Sequence, residues 1–351
     1  MKQLKATLFS LLLIIVLAAC AQTGQETQSD SSENTDEPLE VQGDETNTSN
    51  DTLTLYTAGP AGMAERLAEV FTEETGIKVD MFQGTTGDVL GRLEAEESNP
   101  LADVVVLASL PPAVDFKEKG LSVAYESEYA DSLHDGWYDE DFHFYGFSAS
   151  ALGLSYNTNL VSEPPTDWSD LTADEYNGQL AIPDPTQSGT ARDFIAAFIN
   201  QEDESGWELF EQLKENGLKM EGANNPALQT VISGANSIVM AGVDYMVYNN
   251  MENGEPVDII FPESGTMITP RPAFILESSQ NLDAAKQYID FILSDKGQEI
   301  VADAYLIPAR FDIEPADIRV GIEEIPTLDY DWAYLEEHTQ TILDQFMELI
   351  R

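Results

Sequence analysis

Short apolar runs alternate with amphipathic segments through most of this chain, and this alternation limits the possible fold more than any other feature. Residues 53–56 and 77–82 predict two strands, and residues 61–75, with apolar positions at helical spacing, predict the helix between them. Residues 104–107 form a continuous apolar run of the kind found in parallel sheets. Strand, helix and strand joined by short turns indicate an open α/β sheet with right-handed crossovers.

A second strand–helix unit follows a long apolar strand predicted over residues 146–156. We predict further strands at 180–183, 237–241, 257–261 and 271–276, helices at 191–200, 207–216, 224–233, 245–250, 283–293 and 296–304, and a terminal helical pair within 328–350. The chain is therefore predicted to be an α/β protein of one large or two medium domains.

Turns rich in Gly, Ser and Thr follow four of the predicted strands, at the ends where open α/β sheets bind ligands. Their candidate binding residues are Thr57, Ala58, Gly59, Thr85, Thr86, Gly87, Ser109, Ser188, Gly189 and Thr190. Each turn precedes a helix, whose first N–H groups and partial positive charge suit an oxyanion. Ser and Thr are also the preferred helix caps, so each turn has capping as an alternative role.

Known catalytic motifs are absent from the sequence. There is no nucleophile elbow, zinc-protease motif, phosphate-binding loop ending in Lys or dinucleotide fingerprint. The three histidines, His134, His143 and His338, lie outside the candidate turns. We therefore predict a binding protein with no cofactor and no resident metal, and not an enzyme.

The first 51 residues have the pattern of an export signal followed by a tether. Lys2 and Lys5 precede an apolar run that ends at Cys20, and the run is shorter than the roughly 20 residues of a membrane helix. A removed signal peptide over 1–19 is predicted, with a retained anchor helix as the alternative. Residues 20–51 are polar and acidic, which predicts a disordered tether.

The charge of the chain is strongly negative. It carries 64 acidic and 16 basic residues, a net charge of −48. This excludes a nucleic-acid partner, because binding to phosphate backbones requires a basic surface. The apolar content of 42% is sufficient for a core, so the charge indicates a hydrated acidic shell around a folded body.

Several segments resemble one family. The segments "TGDVLGRLEAE", "DPTQSGTARDFIAAF", "AGVDY", "FPESGT" and "DFILSDKGQE" are similar to bacterial periplasmic-type solute-binding proteins of the ferric iron, phosphonate and sugar-phosphate group, over residues 52 to about 312. The sequence that ends at Cys20, the single cysteine, resembles the lipobox of bacterial lipoproteins, which implies that Cys20 is acylated.

The resemblance implies a two-lobed periplasmic-binding-protein-like (type II) fold that closes over its ligand, with hinge-crossing strands near 148–153 and 270–276. It implies a first lobe over 52–147, a second lobe over 148–270, and a return to the first lobe with C-terminal helices over 271–351. It also implies that an ABC permease with its ATPase is the partner. We expect a monomer anchored by lipid to the outer face of the cytoplasmic membrane.

The resemblance leaves the ligand open. For a phosphonate such as 2-aminoethylphosphonate, or a phosphate ester, the turns above would hold the oxyanion beside Ser148 and Asn225, and Asp244 would accept an amine or hydroxyl. Capping of the helix at 245–250 is the alternative role of Asp244. Ferric iron is the alternative ligand, bound by Tyr245 and Tyr248. A non-transport sensor or surface binding lobe is a third possibility.

Overall fold

The structure is a computed structural model and describes residues 52–350. The predicted signal peptide 1–19, the lipidated Cys20 and the tether 20–51 lie outside the described residues.

Eleven strands and ten α-helices form residues 52–350, in this order: β1 Thr52–Thr57, α1 Ala61–Thr75, β2 Lys78–Gln83, α2 Thr86–Ala95, β3 Val104–Val106, α3 Pro111–Glu118, β4 Ser122–Val123, β5 Tyr145–Asn157, β6 Leu180–Ile182, α4 Gly189–Glu202, α5 Glu204–Glu215, β7 Lys219–Met220, α6 Asn224–Ile232, β8 Ile238–Val243, α7 Asp244–Glu252, β9 Val257–Ile260, β10 Ile268–Leu276, α8 Leu282–Leu293, α9 Asp295–Asp303, β11 Ile307–Pro308 and α10 Trp332–Ile350. Short 3₁₀ helices occupy Ala130–Ser132, Trp168–Thr172, Asp174–Tyr176 and Ile322–Glu324.

The sheet has two sections that share two long strands. In the first section, which we call the first lobe, β1 pairs in parallel with β2 and β3, and β10 runs antiparallel to β3. In the second section, the second lobe, β6 pairs in parallel with β7 and β8. The parallel pairing follows from the strand–helix–strand order, because each crossover helix returns the chain to the same end of the sheet.

The strands β5 and β10 connect the two lobes. They pair antiparallel with each other, and β5 continues into the second lobe, where it pairs with β8 and β9. All residues of both strands are buried, including the serines of β5 and Arg271 of β10. The predicted hinge segments 148–153 and 270–276 lie in these strands.

Each lobe has its own apolar core. α1, α8 and α9 cover the first-lobe core, and α4 and α5 cover the second. α10 packs mainly against α4 and α5, where the rings of Phe346 and Phe210 lie 5.0 Å apart. From the sequence we predicted that this segment forms a helical pair in the part of the chain that returns to the first lobe. In the structure it is the single helix α10. It packs on the second lobe because α4 and α5 leave an aromatic face to cover.

Within residues 52–350, no helix combines the length and the apolar character that crossing a membrane requires.

Candidate functional site

A cleft of about 330 Å³ lies between the two lobes, at the carboxyl ends of the strands. Eight of the predicted binding residues line it: Ala58, Gly59, Thr85, Thr86, Ser188, Gly189, Asn225 and Tyr245. The cleft thus lies at the strand ends where the sequence predicted binding, and these residues remain predicted binding residues.

Five helices begin at this cleft. Its walls include the first residues of α1, α2, α4 and α6, and the second and third residues of α7. The first N–H groups of a helix have no partner within the helix, and the N-terminus carries a partial positive charge. Because the five N-termini converge on one space, the backbone alone makes the cleft favourable for an anion.

Arg271 supplies a full positive charge to the same cleft. It lies on β10, lines the cleft, and is only 2% exposed. Its Nη1 donates to the Ser150 hydroxyl over 3.1 Å, and its guanidinium lies 5.2 Å from the centre of the Tyr245 ring. Among the described residues, its Nε is buried and has no hydrogen-bond partner. Burial lowers the pKa of Arg271, against the opposing effects of Tyr245 and Asp244.

The cleft contains no compensating acidic side chain. None of the described residues that line it is Asp or Glu, although the chain carries 64 acidic residues. A buried cation without a carboxylate partner is costly unless another anion pairs with it. The arrangement is therefore suited to a ligand that brings its own negative charge.

The hydroxyls of Thr85 and Ser188 cap helices as well as lining the cleft. Thr85 forms a capping box at the start of α2, where its Oγ1 accepts from the Asp88 amide over 3.1 Å. Ser188 Oγ accepts from the Ala191 amide over 3.1 Å and lies 2.7 Å from Asn224 Oδ1. The capping role that the sequence allowed is thus present, and the capped helix starts lie at the wall of the cleft.

Six predicted residues do not line the cleft: Thr57, Gly87, Ser109, Ser148, Thr190 and Asp244. Thr57 Oγ1 accepts from the Gly59 amide over 3.0 Å. Ser109 and Thr190 are 0% exposed and hydrogen-bond to neighbouring side chains. Ser148 lies within β5, buried beside β11. These positions were predicted from sequence proximity to the turns, which does not specify the direction of each side chain.

Asp244 is the clearest difference from the sequence prediction. Its carboxylate accepts from Arg319 Nη2 over 2.8 Å, and both side chains are 0% exposed. It also accepts from the amides of Ala151 and Tyr245, over 3.0 and 2.7 Å. It therefore joins β5, α7 and the segment after α9, and its position inside this network leaves no face for a ligand amine.

The tyrosines of the ferric alternative lie in different environments. Tyr245 lines the cleft, and burial raises the pKa of its phenol while Arg271 opposes that rise. Tyr248 is 3% exposed, and its hydroxyl accepts from the Val320 amide over 3.2 Å. The two phenols thus do not form a pair in the cleft. Among residues 52–350, no group of three His, Cys, Asp or Glu side chains could hold a metal ion.

A wider outer cavity of about 600 Å³ adjoins the cleft and shares Pro60, Asn225, Tyr245 and Met246 with it. Its remaining walls come from α1, α7 and α9, and carry Arg66, Lys296, Glu299 and Asp303 together with the amides Asn249 and Asn250. The inner cleft therefore has a polar extension.

Arg271 is the charged cleft residue that the sequence analysis did not single out. The sequence identified residues 271–276 only as a returning strand. A charged residue inside a strand as apolar as β10 was the available signal, because such residues are rarely buried without a partner.

Comparison with known proteins places this architecture in a family. A family model of bacterial extracellular solute-binding proteins matches residues 99–338, more than half of the chain. The chain belongs to this family. The family's description is that of proteins that bind solutes outside the bacterial cell.

Two relatives match most of this solute-binding protein. A protein of Sinorhizobium fredii, y4fP, named as a probable ABC transporter periplasmic-binding protein, is 24% identical over 295 residues, which cover 80% of this chain and 82% of that protein. A candidate 2-aminoethylphosphonate-binding periplasmic protein of Salmonella typhimurium is 26% identical over 258 residues, 71% of this chain and 74% of that protein.

Solved structures share the fold. The periplasmic binding protein AfuA of Actinobacillus pleuropneumoniae, with fructose-6-phosphate bound, superposes with a TM-score of 0.78 at 24% identity, over 85% of this chain and 98% of that one. Iron-bound HitA of Pseudomonas aeruginosa superposes with a TM-score of 0.75 at 22% identity, over 84% of this chain and 99% of that one. The predicted two-lobed periplasmic-binding-protein fold is confirmed.

Proposed function

We propose that this solute-binding protein captures a small anionic solute, a phosphonate or a phosphate ester, between its lobes and delivers it to an ABC importer. One observation carries the proposal: a buried guanidinium, which forms no ion pair with a carboxylate of residues 52–350, lies in a cleft surrounded by helix N-termini. A phosphonate or phosphate oxygen would pair with Arg271 and accept from the first amides of α2 and α4.

Ligands of both candidate kinds have room in the site. The inner cleft of about 330 Å³ is suited to the anionic group, and the outer cavity of about 600 Å³ can hold a larger polar body. The names of the Salmonella relative and of the AfuA complex support a phosphonate and a sugar phosphate respectively. Asp244 does not support the amine of an aminophosphonate, because Arg319 already occupies it.

Ferric iron is disfavoured by the same site. A cation would have to enter beside the unpaired charge of Arg271, with Tyr248 turned away and no carboxylate in the wall. The fold does not separate the two ligands, because HitA shares it with iron bound. The charge of Arg271 in the cleft supports the anion.

Export and membrane attachment complete the proposal. The signal over 1–19 and the acylation of Cys20 would leave the binding domain on the outer face of the cytoplasmic membrane, held by a tether. We propose that it acts there as a monomer. Mass spectrometry of the mature protein tests the removal of the signal and the acylation. An acylated N-terminal Cys20 is expected, and an intact Met1 or an unmodified thiol would contradict this part of the proposal.

Thermal unfolding of the full chain with added 2-aminoethylphosphonate, glucose 6-phosphate, inorganic phosphate or ferric citrate tests the ligand class. A ligand that binds only the folded state stabilises it by about 2.7 kcal/mol at a hundredfold excess over its Kd. We expect a phosphorus-containing anion to raise Tm. A rise with ferric citrate alone, with tyrosinate absorption that Tyr245→Phe removes, would contradict the proposal.

A further inference from the structure

A buried carboxyl group connects the two lobes next to the cleft. Asp193, on α4 of the second lobe, accepts from Ser109 Oγ over 2.6 Å and from the Leu110 amide over 3.3 Å. Ser109 and Leu110 immediately precede α3 of the first lobe. Asp193 and Ser109 are both 0% exposed, although neither side chain lines the cleft. Asp193 therefore caps the start of a helix that belongs to the opposite lobe.

The two backbones touch at the same interface. A Cβ added at Gly189 of α4 would lie 2.6 Å from the carbonyl oxygen of Ala108 and 2.6 Å from Thr86 Oγ1. A Cβ added at Gly87 of α2 would lie 2.6 Å from the carbonyl oxygen of Thr186. Contacts this close require glycine and require the lobes to be closed. Separation of the lobes about β5 and β10 would break them together with the Asp193 contacts.

We propose that Asp193 is a latch for lobe closure, a positioning residue that becomes buried and caps α3 only when the cleft closes. The inference rests on the hinge movement of the proposed function and does not depend on the identity of the ligand. Closure moves this carboxyl group from water into the interface. In the open protein Ser109 and Leu110 lose their partner across the cleft.

A proton accompanies this closure. Burial raises the pKa of Asp193 to about 7, against the opposing effects of Ser109, Arg192 and the Leu110 amide. Tyr330, from the segment before α10, is the other titratable group whose charge interacts with it. In the open state the carboxyl group faces water, and its pKa returns towards the ordinary value of 3.8.

The direction of the pH effect follows from these two values. Below the ordinary value both conformations hold the proton, and the closed conformation has its full stability. This stability is lost as the pH rises from the ordinary value through about 7, because the open protein is then ionised and closure must take up a proton; above about 7 closure buries an ionised carboxylate and the ratio stays low. The ratio of closed to open protein should be about tenfold larger at pH 6 than at pH 8.

Electron–electron double resonance measures the distance between spin labels on the two lobes, and the distance distribution gives the ratio of closed to open protein. Spin labels at Leu101→Cys and Leu160→Cys, which are 52% and 55% exposed, report on the first and second lobes. Cys20→Ser in the same full chain removes its single native cysteine. The measurement is made at pH 6 and pH 8 without ligand, and again with 2-aminoethylphosphonate or with glucose 6-phosphate.

Three variants separate the latch from other effects. Asp193→Ala should lower the closed-to-open ratio at pH 6 at least tenfold. Asp193→Asn should close more fully than the wild type at pH 6 and lose the pH dependence, because its amide is neutral in both conformations and still offers a donor and an acceptor. Asp115→Asn, which removes a half-exposed carboxylate of α3, is the control and should match the wild type.

The proposal is overturned if Asp193→Ala closes as fully as the wild type, or if Asp193→Asn keeps the wild-type pH dependence. If neither anion shifts the distance distribution of any variant, the proposed ligand class fails, while the ligand-free ratios still decide the latch. Unfolding midpoints of all variants identify any loss of fold.

Discussion

Replacement of Arg271 by Met should move ligand affinity and ligand-free stability in opposite directions. Met keeps an unbranched side chain of similar length in β10 and removes the charge. In the complex, the loss of one partner of a buried, hydrogen-bonded ion pair costs about 3 kcal/mol or more. At about 1.4 kcal/mol per tenfold change, this weakens binding by a factor of about 150.

Without ligand, the effect of Arg271→Met on stability has the opposite sign. The wild-type protein buries a guanidinium that has one side-chain hydrogen bond, to Ser150, and a Tyr245 ring beside it. Replacement of poorly compensated buried charges by apolar groups is neutral or stabilising by roughly 1–4 kcal/mol. The Tm should therefore be unchanged or higher, by about 2–4 °C per kcal/mol for a domain of this size.

Isothermal titration calorimetry and thermal unfolding of the same preparations give both quantities. Lys119→Met is the control, because it removes a 61% exposed charge that pairs with Asp115 at the surface. The control should bind anions like the wild type. If Arg271→Met binds every anion as tightly as the wild type, or unfolds at a clearly lower temperature, Arg271 is a structural residue and the reasoning is wrong.

Three further substitutions test other parts of the account. Gly87→Ala should weaken ligand binding without loss of stability, because its Cβ would lie 2.6 Å from the carbonyl oxygen of Thr186 in the opposite lobe. Gly91→Ala on the same helix is the control, and it should leave binding unchanged because the space around Gly91 is open. Asp244→Ala should lower the unfolding free energy in urea by about 3–5 kcal/mol, since it leaves a buried Arg unpaired; lost affinity at unchanged stability would instead indicate a ligand contact. Ser188→Ala should cost about 1 kcal/mol of stability and also affinity, whereas Ser294→Ala, which removes the cap of α9, should cost stability only.

The order of elements could be predicted from the sequence because local patterns determine it. The helical spacing over 61–75 led to α1 with the same bounds, and the apolar run at 104–107 led to β3, which ends one residue earlier. The position of the cleft followed from the strand-end rule. The terminal segment was predicted less well, because an amphipathic pattern shows that α10 has an apolar face but does not say which lobe it covers.

Individual side chains of the site were harder to predict. Asp244 follows a strand and precedes a helix, as a ligand residue would, yet its partner Arg319 is 75 residues away in the sequence. Arg271 was not singled out for the converse reason, because its position matters only since none of the described residues that line the cleft is a carboxylate. Both cases depend on long-range pairing, which a single sequence does not show.

The identity of the solute retained by the protein tests the central claim most directly. The full chain would be incubated with an extract of small molecules from bacterial cells, freed of unbound solute and analysed by mass spectrometry after denaturation. The account predicts enrichment of a phosphorus-containing anion in the wild type and its loss in Arg271→Met. Enrichment of iron, or of an uncharged solute retained equally by both proteins, would contradict it.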